Sequence, residues 1–317
     1  MSGIVRIVAN LKDTDVEYLN IIRNVYRNYT YVGKLNPSVY HCRNTKGQDV
    51  AIKVTKDCSV TKTEGCTDCI TYYSDSNLGL NFIEMEYFTW TFYNVYWEKY
   101  SNCSPELIGF VLSTILCTLD RLHASGFRHM NLTMSNVGVG KEQLKLMHFE
   151  SLVNIDKVQL SHIMTTYSYC PPDYVLTQAN GTGVYPTALV AATDVWSFGC
   201  LVLHTYGVIF PADHPDNTAK IMLEFFGYPT EEEAKKLNYT RVAAVKETKL
   251  LTDWKYPPSK LLLVMLSVER KTLEEKLKDI GIPIELIRVL EQIFVLDYTK
   301  RPTTTDLLKL PYFSQPF

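Results

Sequence analysis

The sequence has no surplus of charge of either sign. Its 34 acidic residues face 32 basic ones, a formal net charge of −2, so bulk electrostatics give no reason to expect a nucleic-acid or membrane partner. No uninterrupted apolar run is long enough to span a bilayer, and the opening Met1–Arg6 lacks the apolar stretch of a secretory signal. The expected location is therefore cytoplasmic, with the nucleus as the alternative. Four Asn-x-Ser/Thr sequons, at Asn28, Asn131, Asn180 and Asn238, then read as chance matches. A disulfide framework is missing too: eight cysteines are scattered, and without export they are expected as free thiols. Their one local group, Cys58, Cys66 and Cys69, contains a C-x-x-C, but a structural zinc site needs four ligands and no second half-motif follows. No metal is expected. Internal repeats and low-complexity linkers are also lacking.

What is present is enough apolar residue, 46% of 317, to fill the cores of two lobes. The chain changes character near residue 88. Before it, Tyr29–Val32, Ser38–Arg43, Asp49–Val54 and Leu78–Tyr87 carry the β-branched and aromatic residues of strands, and Asn44-Thr45-Lys46-Gly47 reads as a hairpin turn. After it, Pro105–Leu122 places Leu107, Phe110, Val111, Ile115 and Leu119 close to one helical face. Thr193–Tyr206, Lys260–Lys278, Ile284–Phe294 and Thr304–Leu310 are further helix candidates. A β-rich piece followed by a helical one is an α+β fold. The expected domains are 1–88, a smaller lobe with an N-terminal extension, and 89–317, a larger helical lobe with an insertion near 258–280.

Several motifs stand in a fixed order along this outline. Val50-Ala51-Ile52-Lys53 matches V-A-I-K, and His129-Met130-Asn131-Leu132-Thr133-Met134-Ser135-Asn136 has the layout H-R-D-L-x-x-x-N without its aspartate. His148-Phe149-Glu150 stands at D-F-G and Cys170-Pro171-Pro172-Asp173 at A-P-E. Asp194-Val195-Trp196-Ser197-Phe198-Gly199-Cys200 and Leu296–Thr303 resemble two later signatures. Together they resemble the eukaryotic protein kinase, a bilobal fold, from about Tyr29 to Phe317. Glu86-Tyr87-Phe88 with Thr91–Val95, Phe226–Glu233 and Trp254 are similar to the glycogen synthase kinase (shaggy) branch of the CMGC group.

That resemblance implies site residues and also shows which are degraded. Phosphoryl transfer rests on positioning and charge neutralisation. A nucleotide would be contacted by Gly33, Val39, Ala51, Lys53, Glu86, Phe88, Asn136 and His148. Lys53, the strand lysine of the family, is retained, and Glu64 is a candidate helix partner for it. Gly33–Val39 keeps one glycine of the phosphate loop and has Pro37, which lacks an N–H donor, near the last. His148 replaces the aspartate that holds magnesium, and a lone Asn136 cannot hold that ion against water. Asn131 occupies the base position, where an amide cannot take a proton. Met130 replaces the arginine that gathers activation-segment phosphate in relatives. Asp173, Asp194 and Arg301, implied to hold the fold, remain.

The expectation is a catalytically impaired kinase-like protein, a pseudokinase, acting as a scaffold or allosteric regulator in signalling. Its partner would be a protein, bound through a helix-accepting groove near 238–256. No cofactor is firmly expected; ATP could bind without magnesium. Two alternatives stay open: a weakly active Ser/Thr kinase using Glu150, and a decoy competing for a kinase's substrate or regulator.

Overall fold

The structure, a computed structural model, describes residues 13–56, 69–77, 79–96, 103–140, 144–147, 151–157, 159–160, 162, 165–177, 184–251, 253–267 and 272–314. The chain forms two compact units, divided between Thr89 and Trp90.

In the first unit, helix α1 (Asp13–Val25) precedes the strands β1 (Thr30–Asn36), β2 (Val39–Arg43), β3 (Asp49–Thr55), β4 (Cys69–Asp75) and β5 (Leu80–Glu86). They make one antiparallel sheet in the order β1-β2-β3-β5-β4. The turn between β2 and β3 follows from its residues: Asn44 Oδ1 accepts the Lys46 and Gln48 amides, each at 3.0 Å, and Gly47 takes a φ of +77°. Side chains alternate across the sheet. One face carries Tyr40, Cys42, Val50, Ile52, Val54, Leu80 and Phe82, packed with Leu19, Ile22 and Tyr26. Burial of each of those three contributes on the order of 1.5–3 kcal/mol. The Tyr26 hydroxyl also donates to the Phe82 carbonyl at 3.2 Å.

The second unit is mainly helical. Helix α2 (Pro105–Ala124) starts where Ser104 Oγ accepts the Leu107 amide and Pro105 takes the first turn, and it ends with Arg121 and His123 at the carbonyl end. Its core stripe is Ile108, Val111, Leu112, Ile115, Leu116 and Leu119, so the expected face is displaced: Leu107 and Phe110 are 46% and 53% exposed. The stripe follows 108-111-112-115-116-119, the wider 3.6-residue pattern. Helix α3 (Thr193–Thr205) is buried along its whole length. It passes α7 (Ile284–Ile293) so closely that a Cβ on Gly199 would lie 2.6 Å from Ile293 Cγ2 and 2.8 Å from Phe294 Cζ. Helix α4 (Pro215–Phe226) packs Ile221, Met222 and Phe225 into the same core, and α8 (Thr304–Leu308) closes it through Leu307. The expected single charged helix over Lys260–Lys278 is two helices, α5 (Lys260–Ser267) and α6 (Leu273–Asp279). Thr272 is the reason: in extended conformation it caps α6 through a reciprocal box with Glu275, which ends any continuous helix there. By length and composition Pro105–Ala124 and Thr187–Thr205 could cross a bilayer, contrary to the reading of the bare sequence. The buried stripe of α2 and the wholly buried α3 account for that apolarity.

Candidate functional site

The loop after β6 (Phe127–Arg128) is shaped from below by one carboxylate. Asp194, at the start of α3, accepts the His129 amide at 2.7 Å and the Met130 amide at 2.8 Å, and His123 Nε2 lies 2.8 Å from it. Burial works to raise the Asp194 carboxyl, yet the bonds from His123 and the His129 amide outweigh it and hold the group below its ordinary value. Met130 sits at φ +63°, a left-handed conformation that costs a non-glycine residue about 1–2 kcal/mol. The two charge-assisted bonds to Asp194 offset that cost. His129 is fully buried, which pushes its pKa down. Its Nδ1 accepts the Asn131 amide at 3.2 Å, so Nε2 carries the proton given to the Met147 carbonyl at 2.8 Å.

Asn131 and Asn136 sit together on this frame. Asn131 Oδ1 accepts the Thr166 amide at 3.2 Å and the Thr166 hydroxyl at 2.8 Å. Because a backbone N–H can only donate, the carboxamide orientation is fixed, with its NH₂ turned away from Thr166. Asn136 Nδ2 donates to the Asn131 carbonyl at 2.8 Å, and its main chain is tied to Thr133 Oγ1 and to the Met147 amide. Both asparagines thus hold the loop and the segment before Cys170 in register. The base position has no group that can take up a proton.

In the first unit, Val39 lies opposite Lys53, which lies opposite Ile83; Ala51 is paired with His41 and Met85. Val39, Ala51 and Lys53 therefore share one face, the one turned away from α1. Lys53 is buried, and that burial brings its amine down to about 8. Gly33 pairs with His41, at an ordinary φ and with open space where a Cβ would stand, so its backbone does not require glycine. Pro37 and Ser38 form the tight link between paired Asn36 and Val39. Glu86 ends β5 and Phe88 follows it, both half-buried, with Tyr87 stacked on His41 at 3.9 Å between centroids. His148, Phe149 and Glu150, together with Glu64, Cys58 and Cys66, lie outside the described residues.

The acids and bases that hold the fold do come together. Arg301 Nη2 meets Asp173 Oδ2 at 2.5 Å with both side chains fully buried, its Nε donates to the Val295 carbonyl at 2.9 Å, and its guanidinium lies 4.7 Å over Trp196. Tyr239, for which no role at Asp173 was expected, donates its hydroxyl to that carboxylate. Tyr169 reaches His204 Nδ1 at 2.5 Å, and Ser197 Oγ donates to the Tyr169 carbonyl at 2.8 Å. Thr166 was equally unmarked; only the spatial approach of its segment to Asn131 gives it a role. Among the described residues no group of three or more His, Cys, Asp or Glu could hold a metal ion. Asn136, a single neutral oxygen ligand, does not by itself fit magnesium.

The family model for the protein kinase domain matches residues 33–313. Mitogen-activated protein kinase 12 of Mus musculus and of Rattus norvegicus are each 25% identical over 219 residues, 68% of this chain and 52% of theirs. Mitogen-activated protein kinase 14 of Xenopus laevis is 24% identical over 221 residues, 68% of this chain and 54% of its own. The chain thus spans about half the length of the curated relatives it matches. In fold it is similar to a chain of the yeast RNA Pol II CTD kinase CTDK-1 complex, with a TM-score of 0.68 at 17% identity, covering 90% of this chain and 93% of that one. With its sheet-rich first unit, its helical second unit and a family match over most of its length, the chain belongs to the protein kinase domain family.

Proposed function

We propose that this chain is a catalytically impaired member of its family, a pseudokinase nearest the glycogen synthase kinase branch, that works as a protein-binding scaffold or allosteric regulator in signalling. The observation that carries this is the Asn131 carboxamide, whose oxygen already accepts both the amide and the hydroxyl of Thr166. A substrate hydroxyl placed there meets no base. Asn136 could offer a metal only its one neutral Oδ1, which alone does not hold magnesium against water. Lys53 keeps a buried amine on the face shared with Val39 and Ala51, which supports binding of ATP without magnesium as a structural ligand.

A partner protein is expected on the second unit. Leu250, Leu251 and Tyr256, within 238–256, are exposed large apolar residues, and Leu263 and Val264 of α5 continue the exposure. An amphipathic helix would cover such a surface. That the fold neighbour is part of a complex is consistent with this use.

The second reading is a weakly active Ser/Thr kinase, favoured by relatives that are mitogen-activated protein kinases. A decoy for a kinase's substrate or regulator differs in occupying the substrate side rather than the 238–256 surface. Incubation of the purified chain with labelled ATP, magnesium or manganese and a generic substrate separates the readings. The expected result is no transfer; transfer that Lys53→Ala abolishes would overturn the proposal. A thermal-shift titration with ATP is expected to show stabilisation that added magnesium does not increase.

A further inference from the structure

The two strands that would cover the phosphates of a nucleotide form a closed hairpin. β1 and β2 pair from Thr30–Arg43 to Asn36–Val39, which leaves only Pro37 and Ser38 for the turn. The turn is held down on β3, where the Ser38 carbonyl accepts the Val54 amide at 2.8 Å. A phosphate is cradled by several N–H groups converging on one point, at a helix end or in a turn with left-handed residues. In a paired strand successive N–H groups point to opposite edges, so they do not converge, and proline has none to give. No residue of β1 or β2 takes a left-handed φ; Gly33 itself stands in strand geometry opposite His41.

Positive charge is as scarce. Lys34 of the hairpin is paired with Tyr40, on the face that packs on α1, and its Nζ lies 5.7 Å over the Tyr40 ring. On the opposite face His41 Nε2 and Arg43 Nη2 both engage Asp49 Oδ1, at 2.9 and 3.2 Å. Among the described residues of that face the other cation is Lys53, whose burial works against its charged form. What the face offers is apolar: Val39 and Ile83 flank Lys53 across the ladder, and Ala51 is paired with Met85. The main chains of Tyr87 and Phe88 follow the last ladder pair, Val50–Glu86, and the Tyr87 ring is stacked on His41. An apolar lining with main-chain donors and acceptors at its rim suits a planar, uncharged heterocycle.

We propose that this face takes the nucleoside of an adenine nucleotide and gains nothing from its phosphates, so that adenosine is a complete ligand. The proposal rests on the ATP binding proposed above and narrows it, since ATP is then held by its adenosine end. Bringing a triphosphate against this face costs desolvation that one amine does not return.

Calorimetric titration of the full-length protein in EDTA with adenosine, AMP, ADP and ATP tests it. All four are expected to bind with affinities within about threefold of one another. ATP tighter than adenosine by more than that would overturn the proposal while leaving ATP binding itself intact. Binding of none of the four would overturn this proposal and the ATP reading together. Ala51→Leu, which fills the apolar face, should weaken all four by about tenfold or more, with a ligand-free Tm near that of wild type showing that the variant is folded. Unchanged adenosine affinity in the folded variant would overturn the assignment to this face. The wild-type series decides the matter of the phosphates even if that variant does not fold.

Discussion

The most demanding test of the second unit is removal of the Asp173 carboxylate. Arg301 and Asp173 meet at 2.5 Å with neither side chain exposed. In Asp173→Ala the guanidinium keeps only the Val295 carbonyl and the face of Trp196, and Tyr239 loses its carboxylate partner while retaining the Leu296 carbonyl at 2.6 Å. Stranding one member of a buried pair costs about 3–5 kcal/mol, a large share of the roughly 5–15 kcal/mol that holds a domain together. Asp173→Glu restores the acid more usual in relatives but adds a methylene to a filled site, for about 1–3 kcal/mol. Urea unfolding followed by tryptophan fluorescence measures both. The double variant Asp173→Leu/Arg301→Met should lose less than Asp173→Ala, since it leaves no charge behind. An Asp173→Ala variant within about 1 kcal/mol of wild type, on the scale of an ordinary net hydrogen bond, would refute the reasoning.

Two further outcomes follow from buried positions. Gly199→Ala should destabilise by about 1–3 kcal/mol, seen as a lowered Tm, because its Cβ would press on Ile293 and Phe294; an unchanged Tm would mean that α3 and α7 can separate freely. Burial pushes His204 down to about 4. As the pH falls from 6.5 to 4 the unfolded imidazole takes a proton that the folded one refuses, so stability is lost across that window, by about 3 kcal/mol for this group. His204→Gln should lack this part of the acid loss, which urea midpoints at pH 7 and pH 4.5 compare directly; equal losses in both proteins would count against it.

Four of the five sheet strands were legible because their side chains alternate and their turns are chemically explicit, whereas β4 (Cys69–Asp75) was not anticipated. Asp49–Val54 anticipated β3, and Asn44–Gly47 the turn before it. The α2 stripe was misplaced because Leu107 and Phe110 are apolar but exposed, and composition cannot tell an exposed leucine from a core one. Helix α1 was not anticipated, although Leu19, Ile22 and Tyr26 stand at helical spacing. At the site, that position 131 carries an amide was plain from the sequence alone. What the carboxamide does instead was not, since Thr166 lies 35 positions along the chain and reaches it only in three dimensions. The same holds for Tyr239 on Asp173, a contact between segments 66 positions apart.

Helix α1 changes where the folding unit begins. The recognised family domain starts at residue 33, three residues into β1, whereas the face of the sheet carrying Cys42, Val50, Ile52 and Phe82 is covered by residues 19–26. A fragment cut at the family boundary would bare that apolar face to water, where it becomes a sticky surface prone to self-association. The stretch that the family model matches and the stretch that covers its own apolar sheet face are therefore different lengths of chain, and the longer one includes α1.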